Sequence, residues 1–419
     1  MHRRDFLKTS SSAAALAAGT VAMPAVLRAQ TGGPIKIGLL SPLTGVLAAG
    51  GKELVEGFEL WWEQKNKEVA GRKVEIVVED DASNPDTALQ KARRLVEQAN
   101  VHFLIGNILA NTGLAVANYV KGNGTPYFIP VIAADELTQR NRVPNVLRIA
   151  GYTGSQMTRP LADWSYKQGY RKVATISQDY TYGHEMTGGF CQTFSEAGGK
   201  ILQQFWHPLA TADFSPYLGQ LANLGADAIF AMETGADSTR FIQQYKNFGL
   251  KEKIPLVGAM NLADQSVIRT LGDEALDIVS CHSFAEGATD DGTKAFVAEY
   301  EKRYQKLPSV FGTNHYAGGM WLTEAITKIG GKVEDRDVFL KAVREVELKG
   351  SPLGPVVKMD AYGHPVYTAF IRKVAKRADG KLWNVVVTSY PNVSQFWTYD
   401  PETYMKQPPY SRTFQGIKS

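Results

Sequence analysis

The sequence of 419 residues contains little of the side-chain chemistry from which metal and disulfide sites are built. It has two cysteines, Cys191 and Cys281, which are too few for a disulfide framework or a four-thiolate metal site. None of its seven histidines lies four residues from another, the spacing that places two metal ligands on one helix face. We therefore expect neither a metal ion nor another cofactor.

Motifs for nucleotide binding and nucleophilic catalysis are also missing from the sequence. No G-x-G-x-x-G follows a candidate strand, and no G-x-S-x-G is present. Gly51-Lys52 comes closest to a phosphate-binding loop, but Val46 stands where such a loop has its first glycine, and Glu53 would repel phosphate. Cys191 lies near His184 in sequence, yet the phenylalanine-rich helical pattern around it favours a buried, inert thiol. The sequence thus favours a binding protein over an enzyme, with a secreted hydrolase as the enzymatic alternative.

No apolar run approaches the ~20 residues needed to span a bilayer, but the first 29 residues resemble an export signal. Arg3 and Arg4 precede Phe-Leu-Lys and a weakly apolar, alanine-rich stretch, which is the pattern of a twin-arginine signal peptide cleaved after Ala29. Removal of residues 1–29 takes away four basic residues and one acidic residue, so the net charge falls from +4 to +1. A nearly neutral chain gives no reason to expect a nucleic-acid partner.

The rest of the chain alternates between short apolar runs and helical patterns. Residues 35–40 predict a strand, and Leu54 and Phe58 have helical spacing within a predicted helix over 51–67. The alternation restarts near residue 145, which predicts an α/β protein with two doubly wound lobes, each a parallel sheet covered by helices. Ligands of such sheets bind outside the carboxyl ends of the strands, so the cleft between the lobes is the expected site.

Four mostly polar connections follow predicted strands, at residues 107–112, 133–138, 178–183 and 233–237. Backbone amides at the start of a helix attract carboxylates without any charged side chain. Because these connections come without a catalytic constellation, the sequence predicts capture of a small molecule.

A series of short motifs in a fixed order gives the chain a family resemblance. They are Ile35 to Gly45, Val78-Glu79-Asp80-Asp81, Asn84-Pro85, Leu104-Ile105-Gly106, Ile129-Pro130, Leu137-Thr138, Asp179 to Gly183, Asp213-Phe214-Ser215 and Gly225-Ala226-Asp227. The ordered set runs from about Ile35 to Val374 and resembles the periplasmic branched-chain amino-acid-binding proteins, the type I solute receptors of ABC importers.

The resemblance implies two Rossmann-like lobes, joined by a hinge of three crossovers, that close over a ligand. It places the first lobe at residues 34–150 and about 283–355, the second at 151–282 and about 356–390, and an aromatic C-terminal tail at 391–419. It also implies a monomeric periplasmic receptor that delivers its ligand to a membrane permease. The alternative is a ligand-sensing regulatory protein of the same fold. An export signal argues against this alternative.

The family's contacts to the charged groups of an amino acid fall on uncharged residues here. By the resemblance, the serine that binds the ligand carboxylate corresponds to Ala110, and a later threonine to Ala133. The acid that pairs with the ligand ammonium corresponds to Met260, just before Asn261. A buried ammonium without a carboxylate partner costs several kcal/mol, so a zwitterionic amino acid is expected to bind poorly.

The family's aromatic ligand contacts are partly replaced by small residues. Two aromatic positions correspond to Gly50 and Thr234, which leave space for a larger ligand, whereas Tyr182 keeps its type. We expect an aromatic or other bulky carboxylate without an α-amino group, with Tyr182 and Tyr152 stacked on its ring. The predicted ligand-binding residues are Gly50, Ala110, Asn111, Thr112, Ile132, Ala133, Tyr152, Tyr182, Thr234, Met260 and Asn261. The alternative ligand is an aliphatic branched-chain amino acid or amide, with Asn261 or Glu233 replacing the missing acid.

Overall fold

The computed structural model describes residues 32–417, so the export signal predicted at residues 1–29 lies outside the described residues. The described chain contains two sheets with helices packed on them. This α/β architecture with two sheets confirms the fold class predicted from the alternating pattern.

The first sheet is almost entirely parallel and buried. Its strands are β1 (Ile35–Ser41), β2 (Glu68–Val69), β3 (Arg72–Asp80), β4 (Phe103–Gly106), β5 (Tyr127–Phe128) and β6 (Val146–Leu147). Their order is β2-β3-β1-β4-β5-β6, and only the β2–β3 pair is antiparallel. The central strands β1 and β4 are continuous apolar runs because helices cover both faces of a parallel sheet.

The second sheet is mixed. Its strands are β7 (Lys172–Gln178), β8 (Lys200–His207), β9 (Ala228–Met232), β10 (Leu256–Gly258), β11 (Val279–His282), β12 (Glu347–Ser351), β13 (Gly354–Met359), β14 (Pro365–Lys376) and β15 (Leu382–Val393). The order is β12-β13-β14-β11-β10-β9-β7-β8, with β15 paired to β14. Strands β7 to β11 are parallel, whereas β14 runs antiparallel to β11 and forms a long hairpin with β15.

Twelve α-helices lie within residues 32–417. They are α1 (Ala48–Gln64), α2 (Pro85–Arg93), α3 (Ala110–Asn123), α4 (Gly154–Lys167), α5 (Thr181–Glu196), α6 (Ser215–Leu221), α7 (Ala236–Asn247), α8 (Gln265–Leu271), α9 (Asp291–Tyr304), α10 (Val310–Lys328), α11 (Arg336–Arg344) and α12 (Pro401–Met405). None of the helices in this range is long and apolar enough to cross a membrane.

The chain crosses between the two lobes three times. The first lobe comprises the first sheet with α1 to α3 and α9 to α11, and the second comprises β7 to β11, β14 and β15 with α4 to α8. The chain passes between them from β6 to α4, from β11 to α9 and from β13 to β14. The β12–β13 hairpin packs on α9 and α10, so the last crossing follows Met359, a few residues beyond the lobe limit predicted near residue 355.

Close packing of two helices fixes the start of α10 in the first lobe. Gly57 of α1 lies so near Gly312 of α10 that a Cβ atom at position 57 would overlap the Gly312 carbonyl group. One turn further along α1, the Trp61 indole donates a hydrogen bond to the hydroxyl of Thr323 on α10 at 2.8 Å. The first turn of α10 is therefore held firmly beside the cleft.

The segment after β15 packs across α4 and α5 and reaches the first lobe. The buried guanidinium of Arg159 on α4 lies 5.1 Å from the ring centroid of Tyr404 and donates to the hydroxyls of Tyr404 and Tyr410, both at 2.9 Å. In the first lobe, Arg140 donates to the carbonyl oxygens of Tyr404 and Gln407. The aromatic residues of the tail thus pack against both lobes.

Candidate functional site

A small cavity lies where the connections after the strands of both sheets meet. Its walls lie close together: about 300 Å³ separates the atoms when the part open to solvent is counted, but the enclosed space takes little more than one water molecule. Its lining residues share one property, which is that none carries a charge. They are Leu47, Ile108, Leu109, Ala110, Val131, Ala133, Tyr152, Tyr180, Tyr182, Thr234, Asn261 and Phe311.

The position of this cavity follows from the sheet topology. Ala110 begins α3, which follows β4, and Tyr182 lies in the first turn of α5, which follows β7. Ala133 and Thr234 lie in the connections that follow β5 and β9. The carboxyl ends of parallel strands lie at one edge of a sheet, and ligands of α/β proteins bind at that edge. A wider groove, lined by residues 251–256 and 274–278, has walls from the second lobe alone and mixed charges. We therefore take the cavity between the lobes as the candidate site.

Two helix N-termini, one from each lobe, lie at the cavity. In α3 the first internal hydrogen bond runs from Gly113 to the Leu109 carbonyl, and in α5 from His184 to the Tyr180 carbonyl. Neither helix has a side-chain cap. The amides of residues 110–112 and 181–183 consequently lack an acceptor among the described residues. Free amides at the positive end of a helix dipole favour an anion.

Hydroxyl groups form a connected cluster on one wall of the cavity. Tyr182 donates a hydrogen bond to Asn261 Oδ1 at 2.6 Å, and its hydroxyl also interacts with that of Tyr152. Burial raises the pKa of Tyr152, Tyr180 and Tyr182, so all three hydroxyls stay protonated at neutral pH. The wall therefore presents neutral phenol groups, and no phenolate charge, to a ligand.

The charged groups nearest the cavity are turned toward other partners. Glu233, which precedes Thr234, shares a hydrogen bond with His207, with 2.9 Å between Oε1 and Nε2, and both side chains are fully buried. Burial raises the pKa of Glu233 to about 7, and the His207 contact only partly offsets it. Thr234 itself donates to Gln178 Oε1 at 2.8 Å. Glu233 is thus engaged behind the wall and does not line the cavity.

Two buried arginines hold the cavity walls through backbone carbonyl groups. Arg148 donates to the carbonyls of Ile132 and Ala134 at 3.1 and 2.6 Å. Arg372 donates to the carbonyl of Met260 at 3.0 Å, next to Asn261. Neither guanidinium lines the cavity. These arginines position the connections that carry the lining residues.

The structure brings six of the predicted binding residues into the lining and leaves five outside it. The six are Ala110, Ala133, Tyr152, Tyr182, Thr234 and Asn261. Four others lie close to them in sequence, namely Asn111, Thr112, Ile132 and Met260. The Asn111 side chain accepts a hydrogen bond from the Thr181 hydroxyl across the cleft at 3.1 Å, and the Thr112 hydroxyl donates to the Leu109 carbonyl. Ile132 and Met260 are fully buried. Whether these residues bind a ligand stays a prediction.

Gly50 is placed differently from the expectation that it leaves space for the ligand. A Cβ atom at Gly50 would lie 2.8 Å from two ring atoms of Phe311. The Phe311 ring therefore fills the space beside Gly50. It comes from a distant part of the chain, and no sequence motif pointed to it. Tyr180, which lies in the predicted connection at residues 178–183 and two residues before Tyr182, also lines the cavity and is not among the predicted binding residues.

The residues weighed for catalysis or metal binding lie apart from any reactive constellation. Cys191 is buried with a pKa raised by burial to about 12, and its thiol accepts a hydrogen bond from Gln204 at 3.3 Å. His184 pairs with Asp179 at 2.8 Å instead of with Cys191. Within residues 32–417, no group of three or more His, Cys, Asp or Glu residues is placed to hold a metal ion.

Comparisons with known proteins cover nearly all of the described chain. A family model described as periplasmic binding protein matches residues 34–381. Leu/Ile/Val-binding protein homolog 6 of Brucella melitensis is 28% identical over 364 residues, which cover 85% of this chain and 91% of that protein.

Two solved structures share both fold and sequence with the chain. An ABC transporter substrate-binding protein from Sphaerobacter thermophilus is 32% identical with a TM-score of 0.81, and the match covers 86% of this chain and 99% of that one. A solute-binding protein of an ABC transporter from Rhodopseudomonas palustris BisB5, solved in complex with 3,4-dihydroxybenzoic acid, is 30% identical with a TM-score of 0.82. That match covers 86% of this chain and 98% of the other.

Proposed function

The chain belongs to the periplasmic binding protein family, and on that basis we propose that it captures an aromatic carboxylate without an α-amino group in the cavity between its lobes. Proteins of this family serve ABC transporters as solute receptors and not as enzymes. Delivery of the ligand to a membrane permease follows from that role. The remaining question is which solute the cavity selects.

The uncharged lining is the observation that carries the proposal. A bound amino acid would bury its ammonium group in this cavity, where no lining residue is acidic. An unpaired buried charge costs several kcal/mol, so the lining selects against a zwitterion. The rings of Tyr152, Tyr182 and Phe311 instead offer apolar faces and edges that suit a flat aromatic ring.

The ligand carboxylate has suitable donors at the helix N-termini. The free amides of residues 110–112 and the positive end of the α3 dipole would stabilise its negative charge. The Rhodopseudomonas palustris protein with its bound 3,4-dihydroxybenzoic acid supports the same ligand class. We infer that the carboxylate faces α3 and that the ring lies among the tyrosines.

A second candidate is an aliphatic branched-chain amino acid, which the name of the Brucella melitensis relative favours. It would need Asn261 or Glu233 to receive the ammonium group. Asn261 Oδ1 already accepts a hydrogen bond from Tyr182, and Glu233 is paired with His207 outside the lining. The geometry therefore favours the aromatic acid.

A thermal-shift experiment on the mature protein distinguishes the two ligands. Benzoate and 4-hydroxybenzoate should raise the melting temperature, because a ligand at a hundredfold excess over its Kd stabilises by about 2.7 kcal/mol. Benzamide, which has the same ring without the charge, should have little effect. Leucine and valine should also have little effect. A shift with leucine or valine but not with the aromatic acids would refute the proposal.

A pair of variants on α3 tests whether binding occurs in this cavity. Ala110→Leu adds three carbon atoms inside the lining and should abolish the shift caused by benzoate. Ala115→Leu is the matched control, because Ala115 lies on the same helix, is only partly buried and is outside the lining. Equal benzoate shifts in the two variants would place the binding site elsewhere.

We further propose that the protein reaches the periplasm through the twin-arginine route. Arg3 and Arg4 with the alanine-rich segment that follows them support this route. Replacing both arginines by lysine keeps the charge but removes the motif, and should leave the precursor in the cytoplasm. Unchanged periplasmic accumulation, measured by cell fractionation, would exclude this route.

A further inference from the structure

A second space lies directly beside the cavity, at the mouth of the cleft. This outer crevice is lined by residues 45–50 and Phe311 from the first lobe and by Gly235, Ala236, Thr239, Ser266 and Thr270 from the second. It holds about 710 Å³ between its walls, including the part open to solvent. Its lining residues are small or apolar, and none is charged.

Two side chains separate the crevice from the cavity. Leu47 and Phe311 line both spaces, and each is less than 5% exposed. The Phe311 ring packs directly against the backbone of Gly50. A Cβ atom at Gly50 would lie only 2.8 Å from the ring. The backbone is fixed as well, since Val310 N donates to Asp264 Oδ2 of the second lobe at 2.8 Å. Phe311 is therefore a closely packed partition between the two spaces.

We propose that Phe311 sets the length limit of the ligand, so that the protein takes single-ring aromatic carboxylates and rejects acids that carry a second ring or a long chain. A ligand with its carboxylate at α3 and its ring among the tyrosines would place any extension against Phe311. The outer crevice would receive that extension if the partition were removed. This inference rests on the proposed function, because it assumes an aromatic carboxylate in the cavity.

The test compares the affinities of benzoate and biphenyl-4-carboxylate by calorimetry. The wild-type protein should bind benzoate and bind the longer acid at least tenfold more weakly. Phe311→Ala should raise the ratio of biphenyl-4-carboxylate affinity to benzoate affinity by about 10- to 100-fold, since a few methylene-sized groups change discrimination by this amount. Phe339→Ala is the matched control, because Phe339 is buried in α11 outside both spaces and should leave the ratio unchanged.

Two milder variants keep the test decisive if Phe311→Ala does not fold. Phe311→Leu should raise the same ratio by a smaller factor. Gly50→Ala should also change the ratio, because the added methyl group would lie 2.8 Å from the Phe311 ring and displace it.

The outcomes separate this inference from the proposed function. A wild-type protein that binds no aromatic acid would refute the proposed function. A wild-type protein that binds benzoate and biphenyl-4-carboxylate equally well, or Phe311 variants whose ratio stays within threefold of the wild type, would refute the length limit alone.

Discussion

Glu185 is a single residue whose buried carboxylate joins the two lobes. Its Oε1 accepts a hydrogen bond from the backbone amide of Asp135 in the first lobe at 2.9 Å, whereas Oε2 has no partner among the described residues. Burial raises the pKa of Glu185 well above its usual value, and the nearby carboxylates of Asp135 and Glu136 raise it further against the opposing charge of Arg148. Ionisation of this residue therefore weakens the folded protein.

Glu185→Gln is expected to stabilise the protein increasingly as the pH rises above about 4.5, the ordinary pKa of glutamate. Below that pH the carboxyl is protonated in both the folded and the unfolded state, so it adds no pH dependence. Above it, the unfolded chain releases its proton first, and the folded wild type is penalised. The gain in unfolding free energy should be about 1–3 kcal/mol at pH 8 and smaller at pH 5, measured by chemical denaturation.

Glu252→Gln serves as the control for Glu185→Gln, because Glu252 is exposed. Its effect on stability should be small and independent of pH. If Glu185→Gln changed stability by the same amount at pH 5 and pH 8, the carboxyl would have an ordinary pKa in the folded state.

Individual site residues could be predicted where they follow a strand. The alternating pattern gives the segments 107–112, 178–183 and 233–237, the family resemblance picks out Ala110, Tyr182 and Thr234 within them, and the cavity forms at the carboxyl ends of the preceding strands. Phe311 could not be predicted in the same way. It reaches the cavity from the first turn of α10, and its location depends on the packing of α10 against α1, which is a non-local contact.

At the scale of elements, helices were predictable where their apolar residues repeat regularly, and α3 and α4 show where this fails. The first turn of α3 contains Asn111 and Gly113, two residues with poor helix propensity, so the sequence gives a weak helical signal there. Gly113 is needed in the fold, because a Cβ atom would lie 2.6 Å from the side chain of Ile132. Tight packing next to the ligand cavity outweighs the local propensity.

Helix α4 illustrates a different limit of sequence reasoning. It contains Pro160, which argues against a helix interior, yet its start carries a capping box between Thr153 and Gln156. The box satisfies the first amides just after the chain crosses into the second lobe. The strands of the β14–β15 hairpin are also difficult to delimit from sequence, because polar, outward-facing residues interrupt their apolar pattern.

At the scale of the whole molecule, ion pairs join the lobes on the side of the cleft mouth. Arg269 of α8 pairs with Glu53 of α1 at 2.6 Å and donates to the Leu307 carbonyl at 2.8 Å, both in the first lobe. Glu53 is almost fully buried and also lies 3.4 Å from Lys306. Because these contacts bridge the two lobes, we expect them to stabilise the lobe arrangement seen in the structure relative to one in which the lobes have separated.

Arg269→Met should weaken benzoate binding by about three- to tenfold, because apparent affinity falls with the fraction of molecules that can close. The side chain touches neither the cavity nor the outer crevice, so a direct loss of ligand contacts is not involved. Calorimetry measures the change, and stopped-flow kinetics should assign it to faster ligand release. Lys373→Met is the control, since Lys373 pairs with Asp277 on the surface of the second lobe alone. Equal affinities for Arg269→Met and Lys373→Met would mean that the Arg269 pair contributes nothing to closure.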